Sequence, residues 1–172
     1  GAMLAILGMT IDEVENEINL FEKNGICEIS NDNSNTQIVV SGEKKTIEKF
    51  NEILKSKKKK GILLPVSAPF HCSLMKLAAE KMKEKIQDSR FIKPKPNIIS
   101  NVTAQEETDL NKIKTLLTDQ ITSRVRWRES VNYMVKKGVT NFLEVGPGKV
   151  LSGLVKKINR DVEISNINSI ED

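Results

Sequence analysis

The first 66 residues confine the chain to few folds, because short apolar runs and helical patterns alternate there in a definite order. Met3 to Leu7 predicts a strand. Thr10-Ile11-Asp12-Glu13 reads as a capping box, in which the threonine hydroxyl meets the Glu13 amide and the Glu13 carboxylate reaches back. Ile11, Val14, Ile18 and Phe21 recur at helical spacing, and Asn24-Gly25 stops the helix. Ile26 to Ser30 predicts a second strand, Asn31 to Asn35 a polar turn, and Gln37 to Ser41 a third strand. Ile47, Phe50, Ile53 and Leu54 share one face of a second helix, and Ile62 to Val66 completes a fourth strand. The order βαββαβ is that of a ferredoxin-like module.

Beyond Val66 the pattern changes. A helix starting near His71 presents Leu74, Met75, Ala78, Met82 and Ile86, and Asn97 to Val102 predicts a short strand. Asp109 is placed to cap a helix carrying Ile113, Leu116 and Leu117. Trp127, Val131, Met134 and Val135 form another apolar stripe, ended by Gly138. A strand over 141–145, a Gly146-Pro147-Gly148 turn, a helix with Leu151, Leu154, Val155 and Ile158, and a strand around 162–167 follow. Strands alternating with helices predict part of a parallel sheet, but about three strands for four helices leave that sheet short. The second half reads as the end of something larger.

Composition narrows the function classes. With 38% hydrophobic residues in 172, a core is affordable, and no apolar run approaches the ~20 residues that span a bilayer. No leader segment is expected, and Gly1-Ala2-Met3 fits either native sequence or the remnant of a tag. Cys27 and Cys72 lack the spacing of a zinc or redox motif, which points to a reduced, cytoplasmic setting with no membrane association. The net charge of +4 is concentrated only at Lys57-Lys58-Lys59-Lys60, read as a solvated helix end, with a docking patch for an acidic partner as the alternative. Nucleic-acid binding is not expected, because the basic residues are not interleaved with aromatics.

His71 is the only histidine, and it stands where a proline-punctuated apolar run meets a helical pattern. At a helix N-terminus the ring would be held neutral and able to accept a proton, as a general base requires. The competing reading is a structural histidine. Cys72 is adjacent, but neighbours on a helix point about 100° apart, so the imidazole is badly placed to activate it. Gly146-Pro147-Gly148-Lys149 lacks the longer glycine loop and Gly-Lys-Ser/Thr arrangement of a phosphate loop and reads as a tight turn. No Gly-x-Ser-x-Gly elbow is present. The chain owns a base without its nucleophile.

Five segments, taken in order, resemble one family: 1–8, the Asn31-Asp32-Asn33-Ser34 turn with 37–42, Val66-Ser67-Ala68-Pro69-Phe70-His71, Val125-Arg126-Trp127 with Ser130-Val131, and 144–151. The family is the malonyl-CoA:acyl carrier protein transacylases of fatty-acid synthesis, with the related polyketide acyltransferase domains. The resemblance implies an α/β (α+β) chain: a ferredoxin-like small subdomain over 1–66, then over 67–172 the carboxyl-terminal part of an α/β-hydrolase-like acyltransferase subdomain. It implies that the nucleophilic serine and the arginine that pairs with malonate lie in a missing amino-terminal part. His71 matches the family's catalytic histidine, and Gln120 matches a glutamine whose backbone carbonyl orients the ring in place of a carboxylate. Phe70 matches a position that disfavours branched acyl groups, and Asn33 falls in a turn facing the cleft. The implied partners are malonyl-CoA and acyl carrier protein, with no cofactor and no metal. Departures are Cys72 for the usual Ser, Arg124 for the usual Pro, and Asn35 where the turn often has Pro. The isolated chain is expected to be inactive. Two further readings are a non-catalytic carrier-protein-binding module using the lysines at 57–60, and an RNA binder, against which the lack of stacking aromatics counts.

Overall fold

A computed structural model of the chain describes residues 1–21 and 24–169. The first strand, β1 (Ala2–Leu7), leads to α1 (Ile11–Leu20), whose N-terminus carries the capping box: Glu13 N–H donates to Thr10 Oγ1 at 3.3 Å, and Thr10 N–H to Glu13 Oε2 at 2.8 Å. Then come β2 (Cys27–Ser34), β3 (Gln37–Gly42), α2 (Lys44–Ser56) and β4 (Lys60–Leu63). The four strands pair antiparallel in the order β2-β3-β1-β4, which with two helices on one face is the ferredoxin-like arrangement.

Alternation along β1 decides where the core sits. Leu4 and Ile6 face the helices and pack with Val14, Ile18, Ile38, Val40, Ile47, Phe50 and Leu54. Each such fully buried side chain contributes roughly 1.5–3 kcal/mol before the entropy of ordering is subtracted. Met3 and Ala5 face the other way, against Val39 and Leu64. The segment leading to His71 therefore begins its course against the second face of the sheet.

After β4 a 3₁₀ turn at Ser73–Met75 runs into α3 (Lys76–Asp88). A short antiparallel hairpin follows, β5 (Ile98–Ser100) with β6 (Gln105–Glu107), then α4 (Leu110–Asp119) and α5 (Trp127–Lys136). The chain closes with β7 (Asn141–Val145), α6 (Val150–Ile158) and β8 (Glu163–Ile167), the two strands parallel. Asp109 caps α4 as its spacing implied, accepting from Lys112 N–H at 2.8 Å.

Several expectations are corrected. Asn31 to Ser34 is strand, not turn, and the chain reverses at Asn35-Thr36. The short polar residues that favour a turn locally are here held in a strand by tertiary partners described below, with two register shifts on β2 absorbing the misfit. The fourth strand ends at Leu63, because Leu64 N–H still reaches Met3 O at 2.9 Å but Pro65 has no donor with which to continue. The hairpin partner β6 had no sequence expectation. Finally, the apolar stripe of α3 is not buried as a whole: Met82 is exposed, Leu77 outside the stripe is more so, and Ala79 is the buried residue of that helix.

The parallel pair is also open. Alternate residues of β7 and β8 are exposed, among them Leu143 at 55% and Val145 at 72%, whereas parallel sheets are ordinarily covered on both faces. Among the described residues no helix is long and apolar enough to cross a membrane.

Candidate active site

His71 does not begin a helix. Its backbone is left-handed, with φ of 59°, and the 3₁₀ turn starts two residues later. A non-glycine residue in that region is uncommon and is held there by its surroundings. Cys72 is extended at φ −142°, and its thiol donates to Pro69 O at 3.1 Å. Both cysteines are buried and neither is in a disulfide, and Cys72 turns inward as a small apolar group with a local hydrogen bond.

The half-buried imidazole meets the end of α4. His71 Nδ1 lies 2.8 Å from the backbone oxygen of Gln120. A carbonyl oxygen only accepts, so Nδ1 carries the hydrogen, and in the neutral ring Nε2 keeps its lone pair. Gln120 caps α4, with its N–H on Leu116 O at 2.9 Å, so its own carbonyl is among those that the helix leaves without an internal partner. The end of α4 presents partial negative charge to the ring. This reverses the expected electrostatics: the helix terminus facing His71 is a C-terminus, not an N-terminus.

The Gln120 side chain serves its own loop. Its Nε2 donates to Ser123 O at 3.0 Å and stands 3.4 Å from His71 Nδ1, where two donors have nothing to exchange. Downstream, residues 124–128 are fastened to β2. Val125 N–H donates to Ser30 O at 2.8 Å and Asp32 N–H to Val125 O at 2.9 Å. Arg128 then grips Asp32 with Nε at 2.9 Å from Oδ1 and Nη2 at 2.8 Å from Oδ2. Asp32 is fully buried, which makes this pair the strongest single tie between β2 and α5. Arg124 stands 3.5 Å from both Glu15 of α1 and Glu129 of α5. Arg126 donates to Glu129 and holds that carboxyl below its usual range by hydrogen bonding.

Arg128 carried no sequence signal, and Asp32 entered only as one residue of a polar segment read as a turn. Two alternating arginines at 126 and 128 look alike, and the partner lies 96 residues away in a stretch whose composition says turn. Phe70, adjacent to His71, is 43% exposed, and Asn33 is half-buried at a register shift of β2, two residues beyond Asn31, which bridges to Val125. The structure thus brings His71 and Gln120 into contact; among the described residues no hydrogen bond joins Asn33 to that pair. A small apolar cleft of about 120 Å³ lies beside Gln120, lined by Ile98, Ile113, Leu116 and Leu117.

Two other sequence features are resolved. The turn at 146–148 places Gly146 and Gly148 at positive φ, and the Glu144 carboxylate accepts from Leu151 N–H at 3.1 Å and Ser152 N–H at 2.7 Å. A carboxylate therefore occupies the α6 N-terminus, where a phosphate loop would present free amides, and hydrogen bonding by Ser152, through its side chain first and then its amide, holds Glu144 below the usual carboxylate range. In the lysine run, Lys57 ends α2 and pairs with Glu17 at 2.5 Å, and Lys58 turns left-handed. Among the described residues no group of three or more potential metal ligands converges.

No family model matches the chain. Among curated relatives, the malonyl CoA-acyl carrier protein transacylase of Staphylococcus aureus (strain COL) is 43% identical over 175 residues, covering 100% of this chain and 56% of that protein. Among solved structures, the malonyl CoA-acyl carrier protein transacylase from Clostridium perfringens superposes with a TM-score of 0.93 at 39% identity, over 99% of this chain and 54% of that one. A malonyl-transacylase in complex with a type II polyketide synthase acyl-carrier protein gives a TM-score of 0.93 at 32% identity, over 99% and 55%. Along its whole length the chain is similar to malonyl-CoA:acyl carrier protein transacylases, and it spans about half the length of the relatives it matches.

Proposed function

We propose that this chain is the carboxyl-terminal portion of a malonyl-CoA:acyl carrier protein transacylase of fatty-acid synthesis, with a small subdomain over 1–66 and part of the large subdomain over 67–172. Residues 170–172 of that range lie outside the described residues. The observation that carries the reading is the 2.8 Å contact between His71 Nδ1 and Gln120 O, which leaves Nε2 free to take a proton.

In this account the remainder of the enzyme supplies a serine. His71 Nε2 removes the serine hydroxyl proton as the oxygen attacks the malonyl thioester carbonyl, and the tetrahedral intermediate collapses to a seryl ester as the protonated ring passes that proton to the departing CoA sulfur. In the second half the ring takes the proton of the carrier protein's pantetheine thiol, the sulfur attacks the seryl ester, and the proton returns to the serine oxygen. Twice per cycle the ring becomes cationic. The α4 carbonyl at Gln120 faces it each time and does what a carboxylate does in a Ser-His-Asp triad, with partial rather than full charge. Gln120 acts through its backbone, so its side chain matters for loop shape. Phe70 crowds a branched acyl chain and Asn33 lines the cleft between subdomains. The enzyme works in the cytoplasm.

The test is malonyl transfer from CoA to carrier protein by the whole enzyme carrying His71→Ala. Loss of the base lowers kcat by about 10²–10⁴-fold. A variant within a few-fold of the parent would remove His71 from the reaction.

A further inference from the structure

We propose that Glu28, on β2, is the positioning residue for His71. The proposal rests on the reading of His71 as the base. Glu28 receives two hydrogen bonds from one residue of the histidine loop: Ser73 N–H reaches Oε2 at 2.8 Å and Ser73 Oγ reaches Oε1 at 2.6 Å. Ser73 is two residues past His71 and opens the 3₁₀ turn. The intervening bonds are local, Cys72 to Pro69 and Met75 N–H to Cys72 O, and they shape the loop without attaching it to another element.

The same strand holds the other half of the pair. Two residues beyond Glu28, Ser30 O accepts from Val125 N–H, and Asp32 N–H donates back to Val125 O, fastening the segment that follows Gln120. β2 is the outermost strand of its sheet, so its free backbone edge takes the Val125 segment, while the Glu28 side chain reaches the histidine loop. One rigid strand thus sets the separation of two loops that come from far apart in the chain. His71 is left-handed, a conformation that residues other than glycine rarely hold without outside support. With Glu28 removed, the Nδ1 contact itself must hold the loop, and the ring is released from a single orientation.

Because the chain has one histidine, the consequence is directly visible. With ¹⁵N-labelled histidine in the 172-residue chain, long-range ¹H–¹⁵N correlation spectra report which ring nitrogen bears the hydrogen. The parent is expected to show one neutral species protonated on Nδ1. Glu28→Ala, with amide dispersion retained, is expected to lose that species in favour of an average of both tautomers. Glu28→Gln keeps an oxygen for Ser73 N–H and allows the hydroxyl to turn from donor to acceptor, and is expected to restore the parent pattern. Should Glu28→Ala not fold, Ser73→Pro decides: it deletes both donors at the first position of a helical turn, where proline is tolerated, after a residue already extended. A folded variant without the Glu28 bonds that still shows only the Nδ1–H species overturns the proposal. A parent chain that lacks that species overturns the reading of His71 itself, so the two failures are distinct.

Discussion

Replacing Arg128 by alanine tests how the two parts of the chain are joined. Asp32 is 0% exposed and its carboxylate is gripped through both oxygens, at 2.9 Å and 2.8 Å, by a guanidinium whose side chain keeps 25% of its exposure. Truncating one partner of a buried pair costs about 3–5 kcal/mol, most of it the penalty of a buried charge left alone. Arg128 is not fully enclosed, so its removal admits some water to the carboxylate, which lowers the expected cost to about 2–4 kcal/mol. For a chain of this size each kcal/mol corresponds to roughly 2–4 °C in Tm, so the midpoint falls by roughly 5–15 °C. Removing both partners, in Asp32→Ala with Arg128→Ala, leaves no orphaned charge and is expected to recover part of the loss. Urea and thermal unfolding of the four chains give the cycle. High salt is expected to weaken the parent pair little, because the pair is largely shielded from solvent. An Arg128→Ala chain within about 0.5 kcal/mol of the parent would place the pair with ordinary surface contacts and refute the reasoning.

Three further outcomes follow from other parts of the structure. Gly42→Ala sets a Cβ against the backbone oxygen of Ile26, which has no flexible end to move away, and is expected to cost about 2 kcal/mol or more in urea unfolding. Glu129 and Glu144 both titrate below the usual carboxylate range in the folded chain, Glu129 through Arg126 and Glu144 through Ser152 and neighbouring amides. A lowered folded pKa gives stability that is present above the unfolded value and lost as pH falls through the folded one, so Tm is expected to drop below the ordinary carboxylate range, with a smaller drop in Glu144→Gln. In the whole enzyme, Phe70→Ser is expected to raise the methylmalonyl-to-malonyl ratio of kcat/KM by about tenfold or more, the scale set by one methyl group in a pocket.

Local chemistry in the sequence is enough to place most elements. Thr10 and Glu13 cap α1 as a box, Asp109 caps α4, and the βαββαβ order yields the ferredoxin-like sheet, because each depends on residues close together in the chain. What fails is local preference overruled from a distance. Asn31 to Ser34 has turn composition, yet Arg128 and Val125 hold it as strand. His71 has a helical pattern after it, yet its backbone is left-handed, its loop is tied to Glu28 on β2, and the α-helix begins only at Lys76. His71 stood out as the only histidine, but its pairing with Gln120 came from resemblance alone. No spacing rule links residues 49 positions apart through a backbone oxygen, and the electrostatic setting inferred for His71 from its own helix had the opposite sign to that supplied by α4. The open faces of β7, β8 and α3 match a sequence that offers too few strands for its helices.

The central claim is that this chain holds the base of an acyl-transfer pair and not its nucleophile. Incubation of the 172-residue chain with radiolabelled malonyl-CoA, followed by denaturation and measurement of bound label, tests it directly, with the whole enzyme alongside. The account predicts covalent label on the whole enzyme and none on the chain. Stoichiometric label on the chain alone would contradict it.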